Sequence, residues 1–139
     1  MDRAADDRAL RIRYVTCMKL SLDLPAQTNV IRAYSPGEIR VGETAYRTNL
    51  ILAARTLIDG WRPSRAEDLR PADLDPILAL RPEVILIGTG LRQQFPDRAA
   101  LAALYAARIG FEVMDTRAAC RTYNVLVAED REVVAALML

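Results

Sequence analysis

A chain of 139 residues with 52% apolar and 27% charged residues has the size and composition of one globular domain, which excludes a fibrous or disordered chain and leaves no room for a second independent core. Nineteen basic against eighteen acidic residues give a formal charge of +1, so no global field draws the molecule to nucleic acid or to an anionic membrane. Histidine is absent, which removes Ser-His-Asp and Cys-His nucleophile systems, histidine-ligated zinc and any histidine general base at once.

All the basic residues except Lys19 are arginine. A guanidinium fork suits carboxylates and phosphates, so an arginine that reaches a cleft is a better anion ligand than an average lysine. Cys17 and Cys120 belong to no CxxC pair, which gives no support to a zinc ribbon or a thioredoxin-like motif; reduced thiols in a cytoplasmic setting are the simplest reading. No metal and no cofactor is expected.

The opening stretch, MDRAADDRALRIRYVTC, has mixed charge and lacks both the apolar core of a signal peptide and the acid-poor character of a transit peptide. Residues 1–17 read as a poorly ordered extension or a short appended helix, ahead of a single α/β domain over 18–139. The longest apolar stretch, Val133 to Leu139, falls far short of the ~20 residues of a membrane-spanning helix, so no integral membrane segment is expected.

From Asn29 to Leu52 the chain reads as a three-stranded antiparallel meander: NVIRAYS closing at Pro36-Gly37, EIRVG with Ile39 and Val41 alternating, then AYRTNLILA. Pro63, Pro71, Pro76 and Pro82 break up the next segment. Within it Ser64 and Glu67 have capping-box spacing, and Asp73 to Leu80 makes a short helix that ends before Pro82. Trp61 reads first as a core anchor.

EVILIG, residues 83–88, is a continuous apolar run that suits a strand covered on both faces. Pro96 sits where a first helical residue would, and DRAALAALYAARI has helical spacing up to Gly110. FEVM is the next strand, Thr116 caps a helix through RAACRTYNVLVAE, and REVVAALML closes the chain as a strand. Alternating strands and helices need right-handed crossovers, which gives a small three-layer α/β domain with an N-terminal antiparallel β meander.

Gly88-Thr89-Gly90 follows directly on a buried strand, where open α/β sheets place ligand loops. Gln93 stands where a dinucleotide fingerprint needs its third glycine, and no lysine follows to complete a P-loop, so the loop is not read as a nucleotide cradle. A tight turn explains a lone GxG as well. Asp115 and Thr116 should emerge beside Thr89 if the two strands are parallel neighbours, making two polar strand ends that share one crevice. On the helix that follows, Arg117, Arg121 and Asn124 are spaced to share one face near the N-terminal end, where backbone N–H groups favour anions. An Asp115–Arg121 ion pair fits the same spacing equally well. Cys120 and Tyr123, three apart, read as core packing, while Arg92, Gln93 and Gln94 read as solvent-facing, with Arg92 in reach of an anion bound at the turn.

Taken together, IRAYSPGEIRVG, LILA, LALRPEVILIGTG and above all VMDTRAACRTYNVL resemble the small β/α domain family of unknown function that includes the mitochondrial complex I assembly factor three and an adipogenesis-associated human protein. The resemblance runs from about Met18 to the C-terminus. It implies a three-layer α/β/α fold with a mixed central sheet and brings no established reaction. It also implies that the glycine loop and the Asp115-Thr116 region, as shared motifs, form a ligand pocket without a catalytic role; the lack of a transit-like segment points to a bacterial cytoplasmic version.

Two functional readings follow. The first is a non-enzymatic assembly or interaction module with a protein partner, in keeping with the family and with the absence of any nucleophile-plus-base spacing. The second is a small-anion-binding protein or enzyme, with Gly88, Thr89 and Gly90 as one wall of a crevice and Asp115, Thr116, Arg117, Arg121 and Asn124 as the other; Arg121 would bind the anion and Asp115 would be the only base. Nucleic acid is not an expected partner.

Overall fold

The computed structural model describes residues 27–139; the extension expected over 1–17 and the domain start at Met18 lie outside the described residues. Strands β1 (Ile31–Ser35), β2 (Glu38–Val41) and β3 (Thr44–Tyr46) form an antiparallel sheet in that order. A second, mixed sheet takes the order β5-β4-β8-β6-β7, built from β4 (Leu50–Ala53), β5 (Thr56–Asp59), β6 (Val84–Thr89), β7 (Gly110–Met114) and β8 (Val133–Met138). Both β7 and β8 run parallel to β6, whereas β4 is antiparallel to β8 and to β5. Two 3-10 turns, Ala66–Asp68 and Pro71–Leu74, lead into the single-turn helix α1 (Asp75–Leu78). A further 3-10 turn, Arg98–Leu101, opens α2 (Ala102–Ala107), and α3 (Thr116–Ala128) is a full helix.

The period of two in a strand sorts the central residues to opposite faces. Ile85 and Ile87 of β6 and Val134, Ala136 and Met138 of β8 face a core shared with Trp61, Leu74, Ile77, Leu101 and Leu104. Leu86 of β6 and Val133, Ala135 and Leu137 of β8 face the other core, with Ile31, Ile39 and Val41 of the small sheet and Ala119, Cys120, Tyr123 and Val127 of α3. The mixed sheet is therefore the middle layer of three. Coverage on both faces is why β8 is buried at every position and why β6 and β8 read as continuous apolar runs. Trp61 is a core anchor as expected, 6% exposed, and its indole N–H donates to Asp73 O at 3.0 Å.

Several boundaries differ from expectation, each for a local reason. AYRTNLILA is not one strand: the chain leaves the small sheet at Tyr46 and enters the mixed sheet at Leu50. Asn49 holds that corner by accepting from Gly60 N and Trp61 N on its carbonyl, donating from Nδ2 to Pro63 O, and accepting from Leu139 N on Oδ1. The hairpin partner β5 follows a two-residue turn at Ala54-Arg55, since Ala53 pairs with Thr56. Ser64 does not cap the first 3-10 turn; its hydroxyl accepts from Asn49 Nδ2 instead. Pro96 is buried but precedes the helical segment, which becomes α-helical only at Ala102 and ends at Arg108 in the left-handed region, φ 57°, rather than at Gly110.

Candidate functional site

Register places the two strand ends together. Gly88 of β6 lies opposite Met114 of the parallel β7, so Thr89 and Gly90 emerge beside Asp115 and Thr116, as the sequence led one to expect. Gly90 has φ +88°, a conformation that glycine reaches without the penalty an L side chain meets. Its C=O accepts from Thr116 N at 2.9 Å and its N–H donates to Thr116 Oγ1 at 2.7 Å. The same hydroxyl donates to Met138 O at 2.5 Å. One buried threonine thus ties the end of β6, the start of α3 and the end of β8.

The remaining polar groups of the junction are also used inside the protein. Thr89 Oγ1 donates to Arg92 O at 2.6 Å and accepts from Gln94 N at 3.0 Å, which folds the loop back on itself. Gln93 Nε2 donates to Val113 O at 2.8 Å, so Gln93 is fastened to β7 although it is exposed. Arg92 is exposed, as expected. Asp115, not Thr116, is the N-cap of α3: its carboxylate accepts from Ala118 N at 2.8 Å, and Thr116 is the first helical residue. Gly88 serves by what it lacks. A Cβ there would stand 3.0 Å from Thr116 Cα and Oγ1 and 3.1 Å from Ala119 Cβ, so the bare backbone lets α3 lie directly on β6. The structure brings Gly88, Thr89, Gly90, Asp115 and Thr116 into one place with the two walls bonded to each other.

Arg117, Arg121 and Asn124 stand on the face of α3 that looks toward β1. With Ile31, Arg32, Ala33, Tyr34 and Cys120 they line a groove of about 250 Å³. Asn124 bridges it at one end: its Oδ1 accepts from Ile31 N at 3.0 Å and its Nδ2 donates to Ile31 O at 2.8 Å, so a side-chain amide completes the edge of β1. Arg117 lies over the Tyr34 ring at 5.2 Å, in cation–π range. Among the described residues Asp115 and Arg121 form no ion pair.

Cys120 is 5% exposed, and burial pushes its thiol from 9.0 up to about 12. It is a packing residue that stays protonated, not a nucleophile. Burial, with Cys120 and Asp115 adding to it and Arg117 opposing, also raises the Tyr34 phenol. The Tyr34 hydroxyl is buried with no hydrogen-bond partner. Among the described residues no group of three His, Cys, Asp or Glu side chains stands together to hold a metal.

Tyr34 and Arg32 carry a weight that the sequence reading did not give them. Strict alternation puts Ile31 and Tyr34 on opposite faces of a strand, yet both pack on the α3 side of the core. A register shift between Ile31 and Ala33 rotates Tyr34 inward, and an irregularity of this kind has no reliable signature in a single sequence. The one visible hint was an aromatic residue in a strand otherwise alternating with small and charged residues.

Residues 31–138 match the model of a family described as "Protein of unknown function (DUF498/DUF598)". The chain is similar to a Francisella tularensis protein named "13 kDa major membrane protein", 35% identical over 96 residues that cover 68% of this chain and 76% of that one. It is also similar to the Danio rerio protein named NADH dehydrogenase (ubiquinone) 1 alpha subcomplex assembly factor 3, 33% identical over 112 residues that cover 78% of this chain and 63% of the relative; it thus spans less than two thirds of that protein. Among solved structures, a Bordetella pertussis protein described as an Mth938-like domain superposes with a TM-score of 0.73 at 32% identity, covering 87% of this chain and 92% of the other. The matched family spans both sheets, the Gly-Thr-Gly loop and α3, and the chain belongs to that family of proteins of unknown function.

Proposed function

We propose that the protein is a non-enzymatic assembly or interaction module that engages a protein partner, in the manner its assembly-factor relatives are named for, with a respiratory NADH dehydrogenase as the assembly concerned. The observation that carries this reading is the junction at Gly88–Gly90 and Asp115–Thr116. A catalytic strand end would turn its hydroxyls and its carboxylate toward a substrate, whereas here Thr89, Thr116 and Asp115 each hold backbone of their own chain. The buried, protonated Cys120 adds no nucleophile. We place the protein in the bacterial cytoplasm, where a free thiol such as Cys120 persists. Among the described residues no helix is long and apolar enough to cross a membrane.

Mild crosslinking in living cells followed by affinity purification is the test. The expected result is repeated recovery of one or more subunits of the respiratory complex. Recovery of the protein alone, in cells that are building the complex, would count against the proposal.

A further inference from the structure

We propose that the groove between β1 and α3 is a binding site for a small oxyanion, a phosphate monoester or a carboxylate, held by Arg32, Arg117 and Arg121. This goes beyond the assembly reading and does not depend on it. Room comes first: about 250 Å³, against about 30 Å³ for a water's share of the liquid, accommodates an ion of several heavy atoms with a short organic stem.

The polar groups that border the space are chiefly donors. Guanidinium has five N–H donors and no acceptor, and three of the lining residues are arginine. Asn124 is tied to Ile31 through its amide oxygen and one N–H, which leaves it a single N–H to offer. Cys120 stays neutral. Asp115 is the carboxylate felt at both Tyr34 and Cys120; it opposes an anion, but one of its oxygens is committed to Ala118 N and three guanidiniums outweigh it.

The Tyr34 hydroxyl is sealed away from the groove without a partner and gives no bond to the ion; what Tyr34 contributes is its ring. Arg117 is held over the Tyr34 ring, and Arg121 follows one turn later on the same face of α3 and lines the same groove.

The test is titration of the purified protein with inorganic phosphate and, separately, with succinate, each against sodium chloride at equal ionic strength, read by amide and arginine Nε–H NMR shifts. The proposal expects saturable shifts confined to residues 31–34 and the first half of α3. Saturation with phosphate alone, or with succinate alone, identifies which oxyanion the site takes. Arg121→Gln, with Arg117→Gln as a second variant, is expected to weaken binding by about tenfold with an unchanged circular dichroism spectrum, and Tyr34→Phe, which keeps the ring under Arg117, to leave it unchanged. Shifts no larger than those with chloride, shifts centred elsewhere, or equal binding by a folded Arg121→Gln protein would overturn the proposal. None of these outcomes bears on recovery of a protein partner.

Discussion

At Thr116 a single hydroxyl accepts from Gly90 N and donates to Met138 O in a fully buried position. Thr116→Val keeps the shape and orphans both backbone groups, each at about 1–3 kcal/mol. Urea denaturation should show a loss in that range or up to its double, with Thr116→Ser recovering most of it; an unchanged midpoint would mean that the hydroxyl does not tie the junction. Gly88→Ala asks α3 to move off β6, because two of the atoms a Cβ would meet belong to backbone or a β-carbon. A loss of about 1–3 kcal/mol is expected by the same measurement. At Cys120, the rise from 9.0 to about 12 cuts the thiolate fraction near pH 8 by on the order of a thousandfold. Peptide mapping after iodoacetamide treatment should find Cys120 unmodified in the folded protein and modified in urea. These residues were visible in the sequence as a group, since register follows from two parallel strands. What they do was not, because glycine, threonine and aspartate are the same residue types whether they hold a ligand or each other.

Among the elements, the proline-rich connector shows how short irregular pieces are fixed without long helices. The Asp73 carboxylate accepts from Arg62 Nη2 at 2.6 Å, Arg62 Nε at 3.0 Å and Arg70 N at 2.8 Å. The Arg62 hydrogen bond, ahead of the others, holds the Asp73 carboxyl below its usual 3.8. A carboxylate whose pKa is lowered by folding adds stability that is present above its unfolded value and is lost as pH falls through the folded one. The deficit of Asp73→Asn relative to the wild type, measured by thermal melting, should therefore be largest near neutral pH and should close as pH drops below 3.8. A deficit that does not change with pH would assign the bracket's value to shape alone. The elements least legible in the sequence were β3, β4 and β5. AYRTNLILA keeps strand propensity throughout, and only the tertiary bonds of Asn49 show where the chain changes layers. By contrast β6, β8 and α3 were legible because burial on both faces, or on one helical stripe, writes a periodic pattern.

For the whole molecule, the three layers follow from alternating strands and helices once right-handed crossovers are required, but the antiparallel pair β4 and β5 at one edge makes the sheet mixed, and the resemblance, not the periodicity, anticipated that. The charge of +1 averages over a surface on which Arg32, Arg117 and Arg121 meet beside Tyr34, a gathering that depends on how the small sheet seats against α3. The proposed role in assembly of a larger complex is decided by the amount of fully assembled respiratory NADH dehydrogenase on native gels of membranes from a strain that lacks the protein. A clear reduction is expected, with accumulation of smaller subcomplexes, reversed by expression of the intact chain; a full complement of assembled complex in the deletion strain would rule the role out.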